Sequence, residues 1–216
     1  PLAAEEIRAL FERGHVSAKF QLGNIPDGMV TKPEREYAGH AFVAPRVVAP
    51  IIADGNLEDW KNVPAQSCLI ERRIGILDDD PTGVYVACDD QNLYLGFRCE
   101  VDQSIQSDPT HIYYPTGEFL VTPRDRDGDV HADDYVEFVL KSKDGHVYRF
   151  VLNANGNLLD SRDGDKAWNA NVKWRGRSDF KDWTAELAVP LAELGLKVGD
   201  TVDFNAVRSW KLFKSS

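Results

Sequence analysis

The chain reads as an all-β protein, an antiparallel β-sandwich, on three observations. Short runs of alternating apolar and polar residues recur between turn signals, helical periodicity is confined to residues 1–15, and the stretch DDYVEFVLKSKDGHVYRFVLNANGN at 133–157 has the pattern of a hairpin. In 134–140, Val136, Phe138 and Leu140 fall on one side and Tyr135, Glu137 and Val139 on the other. A turn with Asp144-Gly145 at its tightest point follows. Tyr148, Phe150 and Leu152 then continue the apolar stripe, opposed by Val147, Arg149, Val151 and Asn153. One face is core. The other carries Glu137, Arg149 and Asn153, and it is the first candidate for a site.

The elements in order support this class. Residues 1–15 place Leu2, Ile7, Leu10 and Phe11 on one side of a short helix that Gly14 stops. Residues 17–45, punctuated by Gly23, Pro26, Gly28, Pro33 and Gly39, read as a linker or extended arm, so 1–44 forms an N-terminal helix and arm and 45–216 the sandwich. Ile51-Ile52-Ala53 is a short apolar strand, Asp54-Gly55 a tight turn, and a single helical turn ends on Trp60. A strand over 67–77 exposes Glu71, Arg72 and Arg73 until Asp78-Asp79-Asp80-Pro81 breaks it. Runs 83–88 and 93–99 form a hairpin about Asp89-Asp90-Gln91-Asn92, with Leu93, Leu95 and Phe97 inward. Residues 101–130 and 158–170 are loops, the second carrying Asp160, Asp163, Asp165 and Trp168. Strands follow at 172–175, 183–189 (Trp183, Ala185, Leu187 and Val189 inward) and 201–208, with a turn-like excursion at 190–196. Trp60 and Trp183 are expected in the core.

Composition narrows the function. The 216 residues, 43% of them apolar, can fill a sizeable core. A net charge of −10 argues against a binder that tracks nucleic-acid phosphates. Cys68, Cys88 and Cys99 lack zinc, haem c and redox spacings, and the hairpin offsets Cys88 from Cys99, so no disulfide is expected between them. No apolar run approaches the roughly 20 residues of a membrane span. Beginning at Pro1, the chain reads as a piece of a longer protein.

Two groups of side chains suggest binding chemistry. Asp125, Asp127 and Asp129, followed by Asp133, could curl around a hard cation, and calcium is the expected metal, although the spacing is not that of an EF-hand. Trp168, in a loop rich in Asp, Gly and Asn, and Trp174, beside Arg175-Gly176-Arg177, are candidate platforms for a sugar ring. Catalytic motifs are absent: Asp133 and Asp134 are adjacent and would point apart, and there is no nucleophile elbow, phosphate loop or His-Glu-x-x-His.

Six short motifs then line up in order across roughly 44–210. They are Ile51-Ile52-Ala53-Asp54-Gly55 with Trp60; Leu93-Tyr94-Leu95; Asp134-Tyr135-Val136-Glu137; Tyr148-Arg149-Phe150 through Asn153-Ala154-Asn155-Gly156; Trp183 through Leu191; and Phe204-Asn205 with Arg208. Together they resemble carbohydrate-binding module family 9. The resemblance implies a jelly-roll-like sandwich without catalytic machinery, and a sugar held between two aromatic walls. His131 stands where the family has its first clamp tryptophan, Glu137 and Asn153 match its hydrogen-bonding residues, and Arg149 shares their face. Trp210 is the residue that could stand near the second wall, and Arg208, of the last motif, is a further candidate for binding the sugar. Residues 1–15 resemble the closing helix of a laminin-G-like, concanavalin-type domain, which implies such a domain upstream. The expected protein is therefore a non-catalytic module of a secreted or cell-surface multidomain protein, binding an oligo- or polysaccharide and touching neighbouring domains of its own polypeptide. A structural spacer is the alternative. A haem-binding domain of the related DOMON type would need axial ligands such as Met29 with His15 or His40.

Overall fold

The computed structural model describes residues 18–22, 41–66, 82–100, 126–178 and 182–209. The expected helix at 1–15, the strand at 67–77, most of the 101–130 loop, the haem candidates His15, Met29 and His40, and both Asp125 and Trp210 lie outside them. Ten strands are described: β1 Ala18–Leu22, β2 Ala41–Ala44, β3 Thr82–Cys88, β4 Asn92–Glu100, β5 Tyr135–Lys141, β6 Val147–Asn153, β7 Leu158–Arg162, β8 Lys173–Ser178, β9 Asp182–Pro190 and β10 Thr201–Ser209. They form a six-stranded sheet in the order β2-β1-β10-β5-β6-β7 and a four-stranded sheet in the order β3-β4-β9-β8. All pairings are antiparallel except that of β1 with β2. Helical structure among the described residues is limited to single 3-10 turns such as Leu57–Trp60, Val130–Ala132 and Leu191–Leu194. This is the all-β sandwich that the alternation predicts.

Strand parity builds the core. Val136, Phe138 and Leu140 of β5 meet Leu93, Leu95 and Phe97 of β4, all at most 1% exposed, and the Phe97 and Phe138 rings lie 4.6 Å apart. Trp183, at 1%, joins this core. The β3–β4 turn closes because Asp89 Oδ1 accepts from the backbone N–H groups of Gln91 and Asn92 at 2.7 and 2.6 Å, an Asx arrangement. Cys88 and Cys99 are both buried, and the register sets Cys88 opposite Leu93 and Cys99 opposite Thr82.

Three expectations are corrected. Leu158–Arg162, expected as loop, is strand β7. Its residues do not alternate because both faces are covered: Leu158 belongs to the main core and Leu159 packs with Val130 and Val151 on the outer side. Within the stretch expected as an irregular arm, Ala18–Leu22 and Ala41–Ala44 are strands, with β1 pairing along β10 and extending the larger sheet. Ile51-Ile52-Ala53 is no strand; Ile51 is buried and Ile52 63% exposed, and the segment runs as a strap over the outer face of the four-stranded sheet. There Ile51, Trp60 and Val63 make a second small core with Ala87, Tyr94 and Ala188. Gly96 permits this, since a Cβ at that position would come within 3.1 Å of the Trp60 ring.

Candidate functional site

The outer face of the six-stranded sheet carries the expected polar stripe. Register sets Glu137 opposite Val151 and Val139 opposite Arg149, so Glu137 and Arg149 are diagonal neighbours on one face. Arg149 Nη1 donates to Glu137 Oε1, with the Glu137 side chain 9% exposed and that of Arg149 49%. Asn205 and Val207 of β10 lie beside Val139 and Glu137. His131, from the 3-10 turn Val130–Ala132, sets its ring edge-on to Tyr135 at 4.8 Å. Burial of Val130 against Val151 and Leu159, with Tyr135 packed alongside, fixes that turn on the sheet. The face thus holds a carboxylate, a half-exposed guanidinium and an aromatic pair, on strands except for His131 on its 3-10 turn.

Other expected site residues go elsewhere. Asn153 shares the parity of Arg149 but is wholly buried. Its Nδ2 donates to Asp133 Oδ2 at 2.8 Å and Asn157 Oδ1 at 3.1 Å, while its Oδ1 accepts from the N–H groups of Asn155 and Asn157 at 3.2 and 2.9 Å. It organises the β6–β7 turn, and a ligand cannot reach it without opening that turn. Trp168 packs between the sheets against Tyr148 and Phe150, at 5.4 and 6.2 Å, with the Arg162 guanidinium 5.9 Å from its ring. Trp174 donates from Nε1 to the Gly156 carbonyl at 2.9 Å, and the Arg126 guanidinium lies 5.3 Å from its ring. Both tryptophans close the seam between edge strands β7 and β8. Arg208, on the inner parity of β10 opposite Val136, bridges to Thr82 Oγ1 at 2.8 Å and the Glu100 carbonyl at 2.7 Å. None of these three stands on the Glu137 face.

Of the expected calcium ligands, the three among the described residues are also dispersed. Asp127 Oδ1 accepts from the Asp160 N–H at 3.3 Å, covering the edge of β7; Asp133 accepts from Asn153; Asp129 is exposed. Among the described residues no three His, Cys, Asp or Glu side chains come together in a way that could hold a metal ion. Beside this loop, wholly buried Asp160 takes Arg126 bidentately at 3.0 and 2.7 Å.

The four-stranded sheet presents a feature that sequence reasoning missed. Its strap and strands border a groove of ≈ 610 Å³ that includes Trp60, Tyr85, Arg98, Arg177, Asp182 and Thr184. Beneath the strap, Glu186 is 0% exposed; it accepts from Trp60 Nε1 at 2.6 Å and from the Gly55 N–H. Burial pushes its carboxyl up to about 7, against the opposing pull of those two donors. The sequence signal was parity, which puts Tyr85, Arg98, Thr184 and Glu186 on one outward face once β3, β4 and β9 are adjacent.

No family model matches the chain, and no curated protein matches it. Among solved structures it is similar to one from Bacteroides uniformis ATCC 8492 described as a "putative carbohydrate-binding protein", with 13% identity, 80% of this chain and 91% of that chain covered, and a TM-score of 0.51. It is also similar to a carbohydrate-binding module of family 9 from Caldicellulosiruptor kristjanssonii, solved with cellotriose and with glucose. Each of those matches has 16% identity over 74% of this chain and a TM-score of 0.42, covering 81% and 85% of the other chain respectively. The likeness to the Bacteroides protein, at that identity, shows a shared fold, the β-sandwich described above.

Proposed function

We propose that this chain is a non-catalytic carbohydrate-binding module that holds a sugar on the outer face of the six-stranded sheet. The Glu137–Arg149 pair carries the reading. A carboxylate and a guanidinium held side by side on adjacent strands can accept from and donate to neighbouring hydroxyls of one pyranose ring. Tyr135 and His131 supply an aromatic wall at the same end. The similarity in fold to a protein described as carbohydrate-binding supports it. The reading goes with a secreted or cell-surface multidomain parent, in which the module concentrates its neighbours on a polysaccharide.

Calorimetric titration against a panel of neutral mono- and oligosaccharides tests this. Binding to at least one is expected, and Arg149→Ala should weaken it about tenfold, the effect of losing a charge-assisted hydrogen bond. Absence of affinity for every sugar would favour a structural spacer, the reading supported by the internal engagement of Asn153, Trp168 and Trp174.

A further inference from the structure

The groove on the four-stranded sheet lies on the opposite side of the sandwich from Glu137 and Arg149, and its walls are held by hydrogen bonds within the protein. Trp60 is 2% exposed and pinned by its bond to Glu186. The half-buried Tyr85 ring stands 5.7 Å from it, tilted by 55°. Arg98 Nε donates to Asp182 Oδ2 at 2.8 Å, and Thr184 Oγ1 donates to the Gly55 carbonyl at 2.7 Å. Such fixed walls lose little freedom on binding.

The charges of the groove do not cancel. Glu58 pairs with Lys61, and Arg98 with Asp182 and, at 4.0 Å, with Glu100. Arg177 lines the same groove, is exposed, and makes no ion pair among the described residues. The Gly55 turn lies against its stem, so close that a Cβ on Gly55 would sit 2.7 Å from the Arg177 Cβ and 3.3 Å from the Arg175 Cγ. Arg175, two residues earlier on the same face of β8, adds a second cation beside the turn. Arg177 is thus the lining cation without an ionic partner among the described residues, on a chain of net charge −10.

We propose that this groove is a second glycan site, selective for an acidic sugar of the hexuronate type. Tyr85 offers a ring face to the pyranose, the Arg98–Asp182 pair meets its hydroxyls, and Arg177 takes the carboxylate through its planar fork. This site does not require the Glu137 face to bind anything.

Titration with oligogalacturonate, with a cello-oligosaccharide of equal length and with polyglutamate at low and high salt tests it. Oligogalacturonate should bind in a salt-sensitive manner. Arg177→Gln and Tyr85→Ala should each weaken it about tenfold, while Arg149→Ala leaves it unchanged. Arg177→Gln changes only an exposed side chain, so its effect stands even if Tyr85→Ala loosens the strap. The proposal is overturned if oligogalacturonate does not bind, if Arg177→Gln leaves its affinity intact, if Arg149→Ala abolishes it, or if polyglutamate binds equally well. It is overturned as well if the cello-oligosaccharide binds as tightly as oligogalacturonate and Arg177→Gln weakens both alike.

Discussion

Glu186 illustrates how much one residue can depend on a segment distant in sequence. Parity places it on the outward side of β9, where alternation predicts a solvated carboxylate, and it does point outward. It is buried because the strap crosses above it and supplies the Trp60 and Gly55 donors. Nothing in the periodicity of 183–189 announces that cover, so its state was not legible, whereas the inward Trp183, Ala185, Leu187 and Val189 were. The carboxyl is raised from its ordinary 4.5 to about 7, so between those values the folded chain binds a proton that the unfolded chain has released. Its contribution to stability is therefore full below the unfolded value and is lost as pH rises through about 7, by up to about 3 kcal/mol. Denaturant unfolding should show wild-type stability falling between pH 5 and pH 8, with the slope reduced in Glu186→Gln. Parallel slopes in the two proteins would remove Glu186 as the cause. The buried Asp160 depends instead on a single cation, Arg126. Arg126→Ala should cost about 3–5 kcal/mol in the same unfolding measurement by leaving that carboxylate uncompensated, and a loss within the range of a surface pair would mean that water or another cation takes over.

At the scale of elements, the hairpins β3–β4 and β5–β6 were readable because each presents one apolar face and a local turn, so pattern and pairing agree. β7 was not, since a strand covered on both faces shows no alternation, and Asp160 within it gave a polar signal for a position that is wholly buried. β1 and β2 were missed for a related reason: five- and four-residue strands are shorter than the window over which a period can be recognised. The seam between β7 and β8 depends on backbone proximity that no pattern reports. At Gly176 a Cβ would come 2.4 Å from the Asn153 carbonyl and 2.6 Å from the Gly156 N–H, so β8 can lie against the β6–β7 turn only without a side chain there. Gly176→Ala should destabilise the domain by about 1–3 kcal/mol, read as a lowered denaturation midpoint, through forced separation of that contact. An unchanged midpoint would show that the turn yields without cost.

Across the whole molecule, the two sheets hide their apolar faces from water and leave two chemically different outer faces. The Glu137–Arg149 pair was legible because its members are close in sequence and joined by one hairpin. The opposite groove was not, because Tyr85, Arg98, Asp182 and Trp60 come from three strands and a strap whose adjacency only the fold decides. The same logic explains why Trp168 and Trp174 looked like ligand platforms: a tryptophan in a polar loop carries no mark of whether it faces solvent or stops an open edge. Here Trp168 fills the gap between the sheets over Tyr148 and Phe150. Trp168→Ala should therefore lower stability by about 2–4 kcal/mol, somewhat less than for a fully buried tryptophan because the ring is only partly covered. Its effect on sugar affinity at the Glu137 face should be negligible at temperatures where the variant is folded. Thermal unfolding and titration of the same preparation separate the two roles, since a platform would lose affinity with its melting point intact, and a seam residue would lose its melting point with its affinity intact.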